Sequence, residues 1–124
     1  MLGAEAARII RRGPVSSLTD TTTLHERIDA LIAAVGGDPA PSRSRLEQTL
    51  TDGYAYALSL EAERWRLERQ IGEAAAELHE GNKSLKSDEI ATLARRLASA
   101  GVELAELRER LSVLRNRAAA VKVA

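Results

Sequence analysis

Two stretches decide the fold: SRLEQTLTDGYAYALSLEAERWRLERQIGEAAAELHE, residues 44–80, and DEIATLARRLASAGVELAELRERLSVLRNRAAAV, residues 88–121. In the first, Leu46, Leu50, Gly53, Ala57, Leu60, Arg64, Leu67, Ile71, Ala74 and Leu78 keep an unbroken 4-3 spacing. In the second, Ile90, Leu93, Leu97, Ala100, Leu104, Leu107, Leu111, Leu114, Ala118 and Val121 keep the complementary 3-4 spacing. A repeat of this kind, sustained over more than three heptads, is the pattern of helices that pack knobs into holes. The turn between the stretches, near Gly81 to Lys86, is short enough to force antiparallel neighbours. The fold expected is therefore all-α: a long antiparallel coiled-coil helical hairpin, preceded by one short helix and assembling into a helical bundle.

Local signals set the expected boundaries. Ser44 with Glu47 forms a capping-box pair that opens the first long helix, and Gly81 is placed to end it. Ser87, followed by Asp88 and Glu89, puts a cap and two acids at the start of the second, where the helix dipole favours them. Upstream, Thr23 and Glu26 make another capping-box pair. Leu24, Ile28, Leu31, Ile32 and Val35 then share one face of a helix over 24–35, which Gly36-Gly37, Pro39 and Pro41 stop. Residues 1–23 read as a leader and linker. Leu2, Ala6, Ile9 and Ile10 with Arg8, Arg11 and Arg12 could form a short amphipathic helix there, while Gly13-Pro14 and a Ser/Thr-rich run break any pattern. The hairpin domain is 24–124.

Composition narrows the function classes. The 124 residues include no Cys, no Phe, one Trp and two Tyr, so a core must be built from Leu, Ile, Val and Ala. Cysteine chemistry is excluded, and its absence suits a reducing, cytoplasmic compartment. Eighteen acids balance eighteen bases, so no global field draws the chain to nucleic acid or an anionic membrane. No apolar run is long enough to span a bilayer.

Charge also bears on pairing. Residues 44–80 carry eight acids against four arginines, and residues 87–124 carry five acids against seven bases. A net −4 beside a net +2 favours the hairpin over self-pairing of the acidic helix. Two registers are open. Setting Leu67 opposite Leu104 brings Glu77 near Arg96, Glu63 near Arg110 and Glu61 near Arg108. Sliding by one heptad sets Leu60 opposite Leu104 and Ala57 opposite Leu107, so large meets small, but Glu63 then approaches Glu103 and Glu77 approaches Glu89. Flanking pairs of this kind are worth about 0.3–0.5 kcal/mol each, a thin margin, and the first register is expected because it also lets the helix reach Glu80.

The flanks of the seam differ. Counting Leu50 as an a position, the first helix carries Tyr54, Leu58, Trp65, Gly72 and Ala75 at e and b positions, and the second carries Ala94, Ala98, Gly101, Ala105 and Ala119. The opposite flank holds Glu63, Gln70, Glu73, Glu77, Arg96, Glu103, Glu106 and Arg110. Small residues admit a further backbone and aromatics supply contact area. Either residues 24–35 fold back over this flank through Leu24, Ile28 and Leu31, or another protein or a second copy covers it.

Chemical sites are not expected. Di-metal bundles need Glu-x-x-His pairs, but Thr22 stands three before His25 and Ala76 three before His79, and His25 with Asp29 reads as a solvated face. Arg64 interrupts the seam at an a position, where a polar residue fixes register or oligomer state. No phosphate loop or hydrolase elbow is visible. The sequence reading is thus a non-enzymatic interaction module: an adaptor, scaffold or small regulatory subunit that forms a homo-oligomer, with no cofactor and no metal. Its partner-binding residues are Tyr54, Leu58, Trp65, Ala98, Gly101 and Ala105. The alternative is a nucleic-acid- or anionic-surface-binding module using Arg8, Arg11 and Arg12, or the basic end at Arg108, Arg110, Arg115, Arg117 and Lys122.

Overall fold

The computed structural model describes residues 23–79 and 83–123. Among these, three helices and no strand occur: α1 over 23–34, α2 over Arg43–Ala76 and α3 over Lys83–Val123, with a 3-10 turn at Glu77–His79 closing α2. The all-α hairpin with one short preceding helix is thus the fold. The leader read into residues 1–22 lies outside the described residues.

Two of the helix starts differ from the expectation. Ser42, not Ser44, caps α2: its Oγ accepts the Arg45 N–H at 3.1 Å, and its carbonyl accepts the Leu46 N–H. With Arg45 at the third helical position no reciprocal Glu is available, so Glu47 instead pairs with Arg43 one turn back, at 3.0 Å. α3 begins at Lys83 rather than near Ser87. Lys83-Ser84-Leu85-Lys86 contains no helix breaker, so the Ser87-Asp88 signal falls inside the helix. The stop after α1 is where the glycines suggest. Gly36 has φ +86°, the left-handed conformation that glycine adopts without strain.

The described residues divide into two compact units, 23–53 with 110–123, and 54–79 with 83–109. In the first, Leu24, Ile28 and Leu31 of α1 are buried, as are Leu111 and Leu114 of α3. The one buried polar side chain among the described residues is Thr49, and its hydroxyl accepts from Arg27 Nη2 at 3.2 Å. The same nitrogen bonds Asp52 at 3.1 Å. That pairing makes the burial of Thr49 tolerable, because a lone buried hydroxyl is costly. Two further arginines tie α1 to α3: Arg110 pairs with Asp29 at 3.2 Å, and Arg117 donates to the Ile32 carbonyl at 3.0 Å. Ile32 lies in the last turn of α1, whose carbonyls lack helical partners and favour a cation.

These contacts bear on the first of the two covers the sequence left open for the e and b flank. Thr49 and Asp52 are g and c positions of α2, so within this unit α1 lies on the flank read as polar, not on the e and b flank. Its Leu24, Ile28 and Leu31 are buried there, beside the Arg27 contacts to Thr49 and Asp52.

The register also differs. An added Cβ on Gly53 would run into the Leu111 side chain, with Leu111 Cδ1 and Cγ at 3.2 and 3.3 Å. In the second unit, Arg64 meets Gly101, Glu77 meets Lys86, and Tyr56 donates to Glu103 at 2.7 Å. Numbers rise along α2 as they fall along α3, so the helices are antiparallel. The register is the one that sets Leu60 opposite Leu104 and Ala57 opposite Leu107, one heptad from the one expected. All four residues are buried.

Like charges do not oppose this register as the sequence count implied. Lys86 binds both Glu77 and Glu89 and so bridges the two acids. Tyr56 takes Glu103, while Glu63 pairs with Arg66 and, at 3.2 Å, with Arg96. With the repulsion relieved, leucine against glycine or alanine decides the packing.

Candidate functional site

The features that could serve a partner lie in the second unit. α2 carries Tyr54, Leu58 and Trp65 at e and b positions, one above another at helical spacing. Trp65 is 78% exposed, Leu58 66% and Tyr54 41%. Each is a large apolar side chain left in water, and Trp65 is the sole tryptophan. Further along the same stripe, Gly72 has no atom within 4 Å of where a Cβ would stand, and Ala75 is exposed.

The immediate surroundings of Trp65 are charged. It lines a shallow hollow of about 200 Å³ with Glu61, Arg64, Glu68 and Arg108. The heptad count that picks out Trp65 also puts Glu61, Glu68 and Arg108 at e positions, so this was open to sequence reading once the charged e residues were counted with the apolar ones. Arg108 forms an ion pair with Glu61. Arg64 is half-buried in the seam, and its Nε is buried without a hydrogen-bond partner. Among the described residues, neither Arg64 nor Glu68 has an ion-pair partner.

The small residues of α3 divide. Gly101 stands beside Arg64, whose Nε would lie 3.9 Å from an added Cβ. Ala98 lines a different, open hollow with Ser99, Val102, Glu103 and Glu106, and Ala105 is exposed. Trp65 and Gly101 both border Arg64, while Ala98 does not share the tryptophan's hollow.

The basic carboxyl end is engaged within the chain. Arg108 holds Glu61, Arg110 holds Asp29, and Arg117 holds the Ile32 carbonyl. Arg8, Arg11 and Arg12, and the side chain of Lys122, lie outside the described residues. Asp29 is the partner of Arg110. Among the described residues no three His, Asp or Glu side chains gather as a metal ion would need, and no helix is long and apolar enough to cross a membrane.

One perturbed titration is resolved. The Lys86 ammonium is held above the ordinary lysine value of 10.5, first by its hydrogen bond to Glu77 and then by that to Glu89. It belongs to the pairing of α2 with α3 rather than to any reacting centre. Set beside known proteins, the chain matches no family model, no curated protein and no solved structure, so its function must be argued from this geometry.

Proposed function

We propose that the chain is a non-enzymatic protein–protein interaction module that works by self-association, with the Tyr54–Leu58–Trp65 stripe of α2 as its contact surface. The observation that carries the reading is the exposure of Trp65 and Leu58, 78% and 66%, on a helix whose seam is otherwise closed. Large aromatic and aliphatic side chains grouped in water mark contact sites, and tryptophan is the residue most often found at their energetic centre. Gly101 stands beside Arg64, whose Nε would lie in ordinary contact with an added Cβ. The engagement of Arg108, Arg110 and Arg117 inside the chain supports this reading over recognition of a polyanion. The absence of cysteine supports a cytoplasmic setting.

The test compares Trp65→Ala with Glu73→Ala and Glu106→Ala by light scattering over a range of chain concentrations. Trp65→Ala lowers the mass toward that of one chain, 13.4 kDa, while the two glutamate variants behave as the unaltered protein. If all four proteins have one and the same mass at every concentration, the contact surface has been misassigned.

A further inference from the structure

We infer that the occupant of the Trp65 stripe is a second copy of this chain, docked antiparallel about a two-fold axis at Trp65, with Arg64 of each copy taking Glu68 of the other. This rests on the reading above and names its partner and geometry. Three observations point to it.

The first is charge. The hollow at Trp65 presents two acids, Glu61 and Glu68, and two bases, Arg64 and Arg108. A nucleic acid or an acidic peptide calls for one sign, and a basic peptide for the other. A surface carrying both in equal number is complementary to itself, which is what an isologous contact requires.

The second is the pair left over. Glu61 occupies Arg108, while Arg64 and Glu68, which line the same hollow, have no ion pair among the described residues. Residues 64 and 68 lie on either side of Trp65 along α2. An antiparallel copy therefore brings each Glu68 within reach of the other copy's Arg64, and one symmetry operation makes both pairs.

The third is shape. Leu58 stands seven residues before Trp65 and Gly72 seven after it. Reversal about Trp65 sets the exposed Leu58 of one copy on the open backbone of Gly72 in the other. Tyr54 falls near Ala75 and Ala76 in the same way, so large meets small at both ends of the stripe, with Trp65 against its own copy at the axis.

The experiment is sedimentation equilibrium of the full chain and its variants, with helix content followed by circular dichroism. The unaltered protein reaches a mass of two chains and stops, because a two-fold contact closes. E68R and R64E each weaken the dimer about tenfold or more, since like charges then face each other. An equimolar mixture of the two recovers the affinity of the unaltered protein to within a few-fold. G72L keeps its helix content, because nothing occupies that space in the single chain, and stays monomeric; it decides the matter even if R64E fails to fold.

A mixture no better than its components, or a G72L variant that still dimerises, overturns the two-fold pairing, while loss of association in Trp65→Ala would leave the interaction reading standing. A mass that keeps growing with concentration also overturns it. An unaltered chain that remains monomeric sinks both the pairing and the self-association it rests on.

Discussion

Single glycines separate the seam from the open surface. At Gly53 the space of a Cβ is held by the Leu111 side chain, which is 1% exposed. Gly53→Ala should cost about 1–3 kcal/mol from overpacking, more than the gain of up to about 1 kcal/mol from helix propensity. At Gly72 the same substitution meets nothing, so in the dilute single chain it should stabilise by about 0.5–1 kcal/mol. Urea midpoints that move in opposite directions for the two variants confirm the register; equal shifts refute it. The a and d positions were legible because nothing but a helical seam repeats in 4-3 steps for so long. Their register was not. The sequence count set large-against-small packing beside exposed ion pairs of a few tenths of a kcal/mol, and favoured the register that lets the first helix reach Glu80, whereas the α-helix ends at Ala76. Glu61, Glu68 and Arg108 around Trp65 were equally readable, and were passed over because the flank was scored by its apolar members.

At the scale of helices, the ends tell most. Ser42 caps α2 through the Arg45 N–H, so Ser42→Ala should cost about 1 kcal/mol and Ser44→Ala much less. Thermal unfolding of the two variants distinguishes them, and a larger loss at Ser44 would move the cap back to the sequence expectation. Ser44-x-x-Glu47 fits the capping motif as well as any stretch in the chain. It misleads because the helix starts just after Pro41, which leaves Ser42 first in line.

Lys86 links α2 and α3 by a different device. Its pKa is raised in the folded chain, so its contribution is complete below the unfolded value near 10.5 and disappears as pH climbs through the folded one. Lys86→Met should therefore unfold more easily than the unaltered protein at neutral pH, with the gap closing in strong alkali. A gap independent of pH would show that the ammonium does not bridge Glu77 and Glu89. Sequence placed Lys86 in the turn, where no such role was visible, since its two partners come together only when both helices are in register. The position of α1 was hidden for a related reason. Its apolar face was plain in Leu24, Ile28 and Leu31, but the flank it chose depends on Arg27 reaching Thr49 and Asp52 and on Arg117 reaching the Ile32 carbonyl.

For the molecule as a whole, the account turns on what becomes of its one tryptophan. The chain buries leucine closely against glycine and alanine yet leaves Trp65 in water, and the proposed contact accounts for that exposure. Its emission reports that contact without any label, because no other tryptophan contributes. The deciding measurement is the fluorescence of Trp65 from dilute to concentrated solution. The account predicts a water-exposed, red-shifted spectrum in dilute solution that moves to the blue as chains associate, with quenching by iodide falling in step. Emission and quenching that stay unchanged at every concentration would contradict it.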